Sequence, residues 1–129
     1  MTLAITPLYA GIIGLLFVLL SVLVITARGQ ARVSMGDGGD QLLIRRIRVQ
    51  ANCAEYAPLG LILLGMAELQ GAPGWVVHLL GLMLLLGRVL HAVGFGRVPE
   101  IMWMRVAGMA LTFAMLMLGA LANIGHALF

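Results

Sequence analysis

At 129 residues, 62% hydrophobic and 10% charged, with a mean hydropathy of +1.08, the chain departs from soluble domains, where about a quarter of residues are charged. The formal charge of +3 is carried entirely by arginines, with no lysine, and these sit between apolar stretches, a pattern of membrane topology rather than of a nucleic-acid surface. Cys53 is the single cysteine, which excludes an intrachain disulfide and a thiolate metal cluster.

The first element is an apolar span over about 3–25, ending at Thr26-Ala27-Arg28-Gly29. It is charge-free before Arg28, long enough to cross a bilayer, and lacks the basic n-region of a cleaved signal peptide. A polar loop, Gln30 to Asp40, contains Gly36-Asp37-Gly38-Gly39-Asp40, which disfavours helix. It is no phosphate loop, because no Gly-Lys-Ser/Thr follows. The second helix starts near Gln41 and spans 43–69, with Arg45, Arg46 and Arg48 in its first turns. Gln70-Gly71-Ala72-Pro73-Gly74 forms a tight turn. The third span covers 75–95, the loop Gly96 to Glu100 contains Pro99, and the fourth span covers 103–127. Length allows one domain, 1–129.

Arginines 28, 32, 45, 46, 48, 88, 97 and 105 all fall on or near the first and third connections in a four-span arrangement. The positive-inside rule then places loops one and three in the cytoplasm and both termini outside. Three or five spans would scatter the arginines over both faces. The fold expected is all-α, an integral membrane four-helix bundle.

The second helix carries the chemistry. Arg48, Asn52 and Glu55 follow i, i+4, i+7 spacing and share one face, with Tyr56 beside Glu55. Arg48 and Glu55 are about 10 Å apart at 1.5 Å per residue, too far for a tight pair. A carboxylate inside a bilayer costs about 2.5–3.5 kcal/mol on insertion scales, so Glu55 requires a partner from another helix, another subunit or a ligand. A polar clamp that fixes helix packing is the plainer alternative.

Arg48-Val-Gln-Ala-Asn52-Cys-Ala-Glu55-Tyr56-Ala-Pro58 closely resembles the Arg-x-x-x-Asn-x-x-Glu-Tyr-x-Pro signature of the MAPEG family, the membrane-associated proteins in eicosanoid and glutathione metabolism. Ile25-Thr26-Ala27-Arg28 and Glu68-Leu-Gln-Gly-Ala72 are similar to the end of that family's first helix and to its second turn. The loop with Arg32-Val33-Ser34 and Gly36-Asp37-Gly38-Gly39, and the run Gly87-Arg88-Val-Leu-His91-Ala-Val-Gly94-Phe95, resemble its small bacterial branch, which implies the inner (plasma) membrane. The resemblance covers nearly the whole chain.

It implies a homotrimer that binds glutathione as co-substrate between adjacent subunits, with no metal. Arg48, Asn52, Glu55 and Tyr56 would hold the tripeptide from one subunit, Glu55 taking its ammonium. Arg28 and Gln50 would reach in from the neighbour. The implied activity is a glutathione transferase or peroxidase acting on a hydrophobic electrophile or lipid. A non-catalytic glutathione- or lipid-binding protein and a small exporter are the alternatives.

The site departs from the eicosanoid-forming members in two ways. Their catalytic arginine aligns with Met102, leaving Arg105 as the substitute, with Arg97 second. Their two glutathione-contacting tyrosines align with His91, which still donates a hydrogen bond, and Phe95, which offers only packing. Arg88, one turn before His91, is expected to face the interior and pair with Glu55 or another carboxylate. Cys53 and the methionines read as packing, His78 and Trp75 as interfacial anchors, and His126 as too remote from His91 for a metal site. Pro58 is expected to kink the second helix and free the Ala54 carbonyl.

Overall fold

The computed structural model describes residues 2–129, which form four α-helices and, among those residues, no strand. They are α1 (Thr6–Ala31), α2 (Gln41–Leu69), α3 (Gly74–Phe95) and α4 (Met102–Leu128). Each end has a local cause. Pro7 lies in the first turn of α1, where its missing N–H costs nothing. The opening amides there are taken by a carboxylate from another helix, since Glu68 accepts from Ala4, Ile5 and Thr6 at 2.7, 2.6 and 2.7 Å.

The first helix runs past the expected end near Ile25 and stops only where Arg32 turns left-handed, at φ 56°. Gly29 does not break it, because a glycine costs a helix only about 1 kcal/mol. Arg28 therefore stands on the last helical turn. In the loop, Gly36, Gly38 and Gly39 have φ of 71°, 58° and 76°, conformations open to glycine with little strain. Asp40 then caps α2 by accepting from the Leu43 amide at 2.8 Å, which fixes its start at Gln41. The helix continues unbroken through Pro58 to Leu69.

Helices α2 and α3 each touch all three others, whereas α1 and α4 do not meet. The bundle is thus a rhombus with α2 and α3 on its short diagonal. Ile13, Leu20, Val49, Cys53, Leu64, Leu84 and Met115 form the core. Exposure on the outside is inverted relative to a soluble protein. Leu15, Val18 and Ile25 on α1, and Phe113, Met117 and Leu121 on α4, are uncovered, as expected of side chains solvated by lipid.

On their own composition, α1, α3 and α4 are long and apolar enough to cross a membrane. At 29 residues α2 has the length, but Arg45, Arg46, Arg48, Asn52 and Glu55 lower its apolar content. It is held in the bundle by packing against all three neighbours.

The tightest interface joins α3 to α4 and depends on missing side chains. A Cβ on Gly87 would lie 2.7 Å from Thr112 Oγ1 and 2.9 Å from the Gly108 carbonyl. One on Gly108 would strike the backbone of His91 and Gly87. Small residues permit such close approach in membranes, where packing rather than hydrophobic burial drives association. This contact brings α4 within reach of Arg88.

Candidate functional site

Arg88 is the largest fully buried side chain, at 1% exposure. It is the hub from which the polar region is built. Its Nη1 donates to the Asn52 carbonyl at 3.3 Å and, at shorter range, to Asn52 Oδ1. Its Nε and Nη2 donate to Thr112 Oγ1 at 3.1 and 2.9 Å, and Nη2 also approaches Met109 Sδ at 3.2 Å. The Tyr56 ring lies 5.6 Å from its guanidinium carbon.

Arg88 thus faces the interior as expected, but pairs with neutral acceptors rather than with Glu55 or any other carboxylate. The reason is azimuthal. At 100° per residue, Tyr56 lies about 40° from Asn52 on the inward side, and Glu55 about 60° from it on the other.

The stripe on α2 is accordingly split. Asn52 and Tyr56 form its inner edge, with Tyr56 also set edge-on to Phe113 of α4 at 5.6 Å between ring centroids. Arg48 and Glu55 form its outer edge and are exposed. Among the described residues neither joins an ion pair, since Glu100 takes part in both of those present. The other acids are engaged elsewhere: Asp37 and Asp40 in loop one, Glu68 at the α1 N-terminus. Glu55 is left as the carboxylate without a partner.

Toward the third loop, His91 and Phe95 follow Arg88 on the same face of α3. Their rings stack at 5.7 Å, and His91 is buried. Phe95 carries two cations, with the Arg105 and Arg45 guanidinium carbons 4.0 and 5.4 Å from its ring centroid. Both arginines converge on Glu100 Oε2, at 3.0 Å for Arg105 and 3.3 Å for Arg45. The Arg105 hydrogen bond first, and that of Arg45 with it, hold the Glu100 carboxyl below its ordinary range. Arg105 keeps 39% of its side chain accessible. Arg97 is exposed and outside this cluster.

Arg28 and Gln50 lie on the α1 side, apart from the stripe. Arg28 Nη1 donates to the Gly36 carbonyl at 2.6 Å, and Gln50 Nε2 reaches Ser21 Oγ at 3.5 Å. The chain therefore brings together Asn52, Tyr56, Arg88 and, one turn on, His91. It keeps Arg28 and Gln50 on a different side.

Three participants were missed in the sequence: Thr112, Met109 and Glu100. Thr112 had a signal, as a hydroxyl one turn after Gly108 in the uncharged stretch of α4 that follows Arg105. Glu100 had one too, five residues from Arg105. Met109 had none.

Residues 6–125 match the MAPEG family. The chain is also 38% identical over 122 residues to the inner membrane protein YecN of Escherichia coli strain K12, covering 95% of this chain and 92% of that protein. Identity and coverage are the same for YecN of Escherichia coli O6:H1. A bundle of four helices, the Arg48–Asn52–Glu55–Tyr56 stripe and a family match across nearly the full length agree: the chain is a membrane protein of the MAPEG family.

Proposed function

We propose that this protein binds glutathione at a site shared between protomers and conjugates its thiolate to lipophilic electrophiles, as a membrane glutathione transferase or peroxidase. The observation that carries the reading is the outer edge of α2, where Arg48 and Glu55 stand exposed without an ion-pair partner among the described residues. A charge at membrane depth is costly unless paired. Glutathione supplies what is missing, since it carries two carboxylates for arginines and one ammonium for a glutamate.

Glu55 then takes the ammonium, and Arg48 takes a carboxylate, with Asn52 oriented for the peptide by Arg88. Arg28 and Gln50 serve the site of an adjacent protomer in a homotrimer, which accounts for their position away from the stripe. His91 sits beneath the site beside Arg88. Chain similarity to YecN supports an inner-membrane location, and the positive-inside rule puts the arginine-rich loops one and three on the cytoplasmic side.

The reaction needs no protein nucleophile. The glutathione thiol, with an ordinary pKa near 8.5, releases its proton to water. The thiolate sulfur attacks the electrophilic carbon, forming the C–S bond as the leaving group departs with its electron pair. Arg105 is the residue assigned to stabilise the thiolate. Its partly accessible guanidinium lies over Phe95 at the mouth of the polar region.

A second reading, a non-catalytic glutathione- or lipid-binding protein, draws support from the same residue, because Glu100 already engages Arg105. Detergent-purified protein separates the two. Titration calorimetry measures glutathione binding, ultraviolet thiolate absorbance reports ionisation, and turnover of an aryl halide reports conjugation. Arg48→Ala and Glu55→Gln are expected to abolish binding, and Arg105→Ala to spare binding while removing thiolate and turnover. Binding by wild-type protein with neither thiolate nor turnover refutes the transferase reading and leaves the second.

A further inference from the structure

The polar stripe does not use the opposite side of the bundle, where α1 and α3 meet. Near the second turn the two helices are pinned together. Tyr9 packs over Gly81, and its hydroxyl pairs with His78 Nδ1 at 2.9 Å and the His78 carbonyl at 3.2 Å. Toward loops one and three they part. A lateral groove of about 380 Å³ opens between them, walled by Leu20 and Leu23 of α1, by Ala92 of α3 and by Gly96 just past that helix, with Arg97 at the loop end. Those same four residues line a deeper chamber of about 100 Å³, into whose wall Arg46 of α2 is set. The groove is therefore apolar along its length and cationic at the loop end.

Among the described residues, the two arginines there have no counter-ion. Arg97 is exposed and joins neither of the ion pairs found among the described residues. Arg46 uses Nη1 to donate to the Leu23 carbonyl at 3.0 Å, a neutral acceptor. Of the five acidic side chains, Glu68 lies at the other end of the bundle, and Glu100 is held by Arg45 and Arg105. Asp37 and Asp40 accept amides of loop one and the α2 start, and Glu55 stands nine residues along α2 from Arg46, on the stripe.

We propose that this groove binds one anionic phospholipid, its acyl chain lying between α1 and α3 and its phosphate against Arg97 and Arg46. Three observations favour that occupant. The groove opens sideways between helices whose outer residues, Leu19 and Val93 among them, are exposed apolar side chains, so its mouth meets lipid. One turn of helix, about 10–12 Å across and about 5.4 Å long, fills about 400–600 Å³, more than the groove's roughly 380 Å³, whereas a single chain of methylenes is slim enough to enter. Unpaired guanidiniums at the end of an interhelical cleft match a phosphodiester in charge and donor geometry. The proposal is independent of glutathione, since no residue of the α2 stripe lines the groove.

Native mass spectrometry of the full chain in detergent tests it, with phosphatidylglycerol, phosphatidylcholine and glycerol 3-phosphate as probes. One phosphatidylglycerol per chain is expected, retained about 25-fold over phosphatidylcholine, because each of the two arginines near an anionic headgroup contributes a factor of about five. Glycerol 3-phosphate, lacking chains, should fail to displace it.

Arg97→Gln is expected to cut the preference about fivefold without disturbing the fold, as the exposed side chain has no ion pair to lose. Ala92→Phe, which fills the groove, should remove both lipids. Equal retention of the two lipids, displacement by glycerol 3-phosphate, an unchanged preference in Arg97→Gln or full retention in Ala92→Phe would each overturn the assignment.

Discussion

The buried arginine gives the sharpest test of how this bundle is held. Arg88 donates to three oxygen acceptors on two other helices: the Asn52 carbonyl, Asn52 Oδ1 and Thr112 Oγ1. In soluble proteins each hydrogen bond to a charged group contributes about 1.5–3 kcal/mol. Interhelical bonds in a membrane average about 0.6 kcal/mol, because the helices find other partners when separated. On the membrane value the three contribute about 2 kcal/mol.

Placing a guanidinium in that interior costs about 2.5–3.5 kcal/mol. Arg88→Met removes both terms, so stability should move by no more than about 1–2 kcal/mol. Thr112→Val, a far smaller change, removes only the acceptor and strands two donors of a buried cation. It should cost about 1–3 kcal/mol. In the double variant the cation is gone, and the valine should add little further.

Thermal unfolding in one detergent, followed by circular dichroism for wild type, both single variants and the double, measures the coupling. Additive losses would refute the argument, since they would mean that Arg88 and Thr112 do not share an interaction. Arg88→Met should also weaken glutathione binding at least tenfold through a misdirected Asn52, even where stability is retained.

Two glycines of α4 should respond to alanine with opposite sign. Gly108→Ala must force α3 and α4 apart, at a cost of about 1–3 kcal/mol, whereas Gly125 has open space around it and should gain up to about 1 kcal/mol of helix propensity; melting temperatures in detergent check both. Glu68→Ala strips the carboxylate from three opening amides of α1 and should lower stability by about 1 kcal/mol, as loss of a helix cap does. Amide exchange should then quicken at Ala4 to Thr6 and not at α4. Because the arginines hold the Glu100 carboxyl below its ordinary range, its contribution to stability is present above the unfolded value near 4.3. It is lost as pH falls through the lower folded value. A melting curve against pH should therefore slope downward in acid, and Glu100→Gln should flatten that slope.

The order of four helices, the gathering of arginines at the first and third connections and the spacing of the α2 stripe were legible in the sequence, because each depends on residues close together in the chain. The end of α1 was not, since that helix runs on past Ile25 to Ala31. Asp40 stops loop one, Gly71 turns α2 into α3 with φ of 91°, and hydropathy marks α1, α3 and α4 without reference to neighbours. Family likeness was most specific in one short run, Arg48 to Pro58.

Only the tertiary structure decided how those helices are rotated against one another. That rotation turned Asn52 rather than Glu55 toward Arg88, made Glu68 a cap for another helix, and set Arg105 and Arg45 over one phenyl ring. The physical reason is that a helix defines its own faces at 100° per residue, whereas the choice of face that meets a neighbour depends on where two backbones can approach. Here that choice lies with Gly87 and Gly108, residues whose importance is the absence of a side chain and whose partners are about twenty positions away.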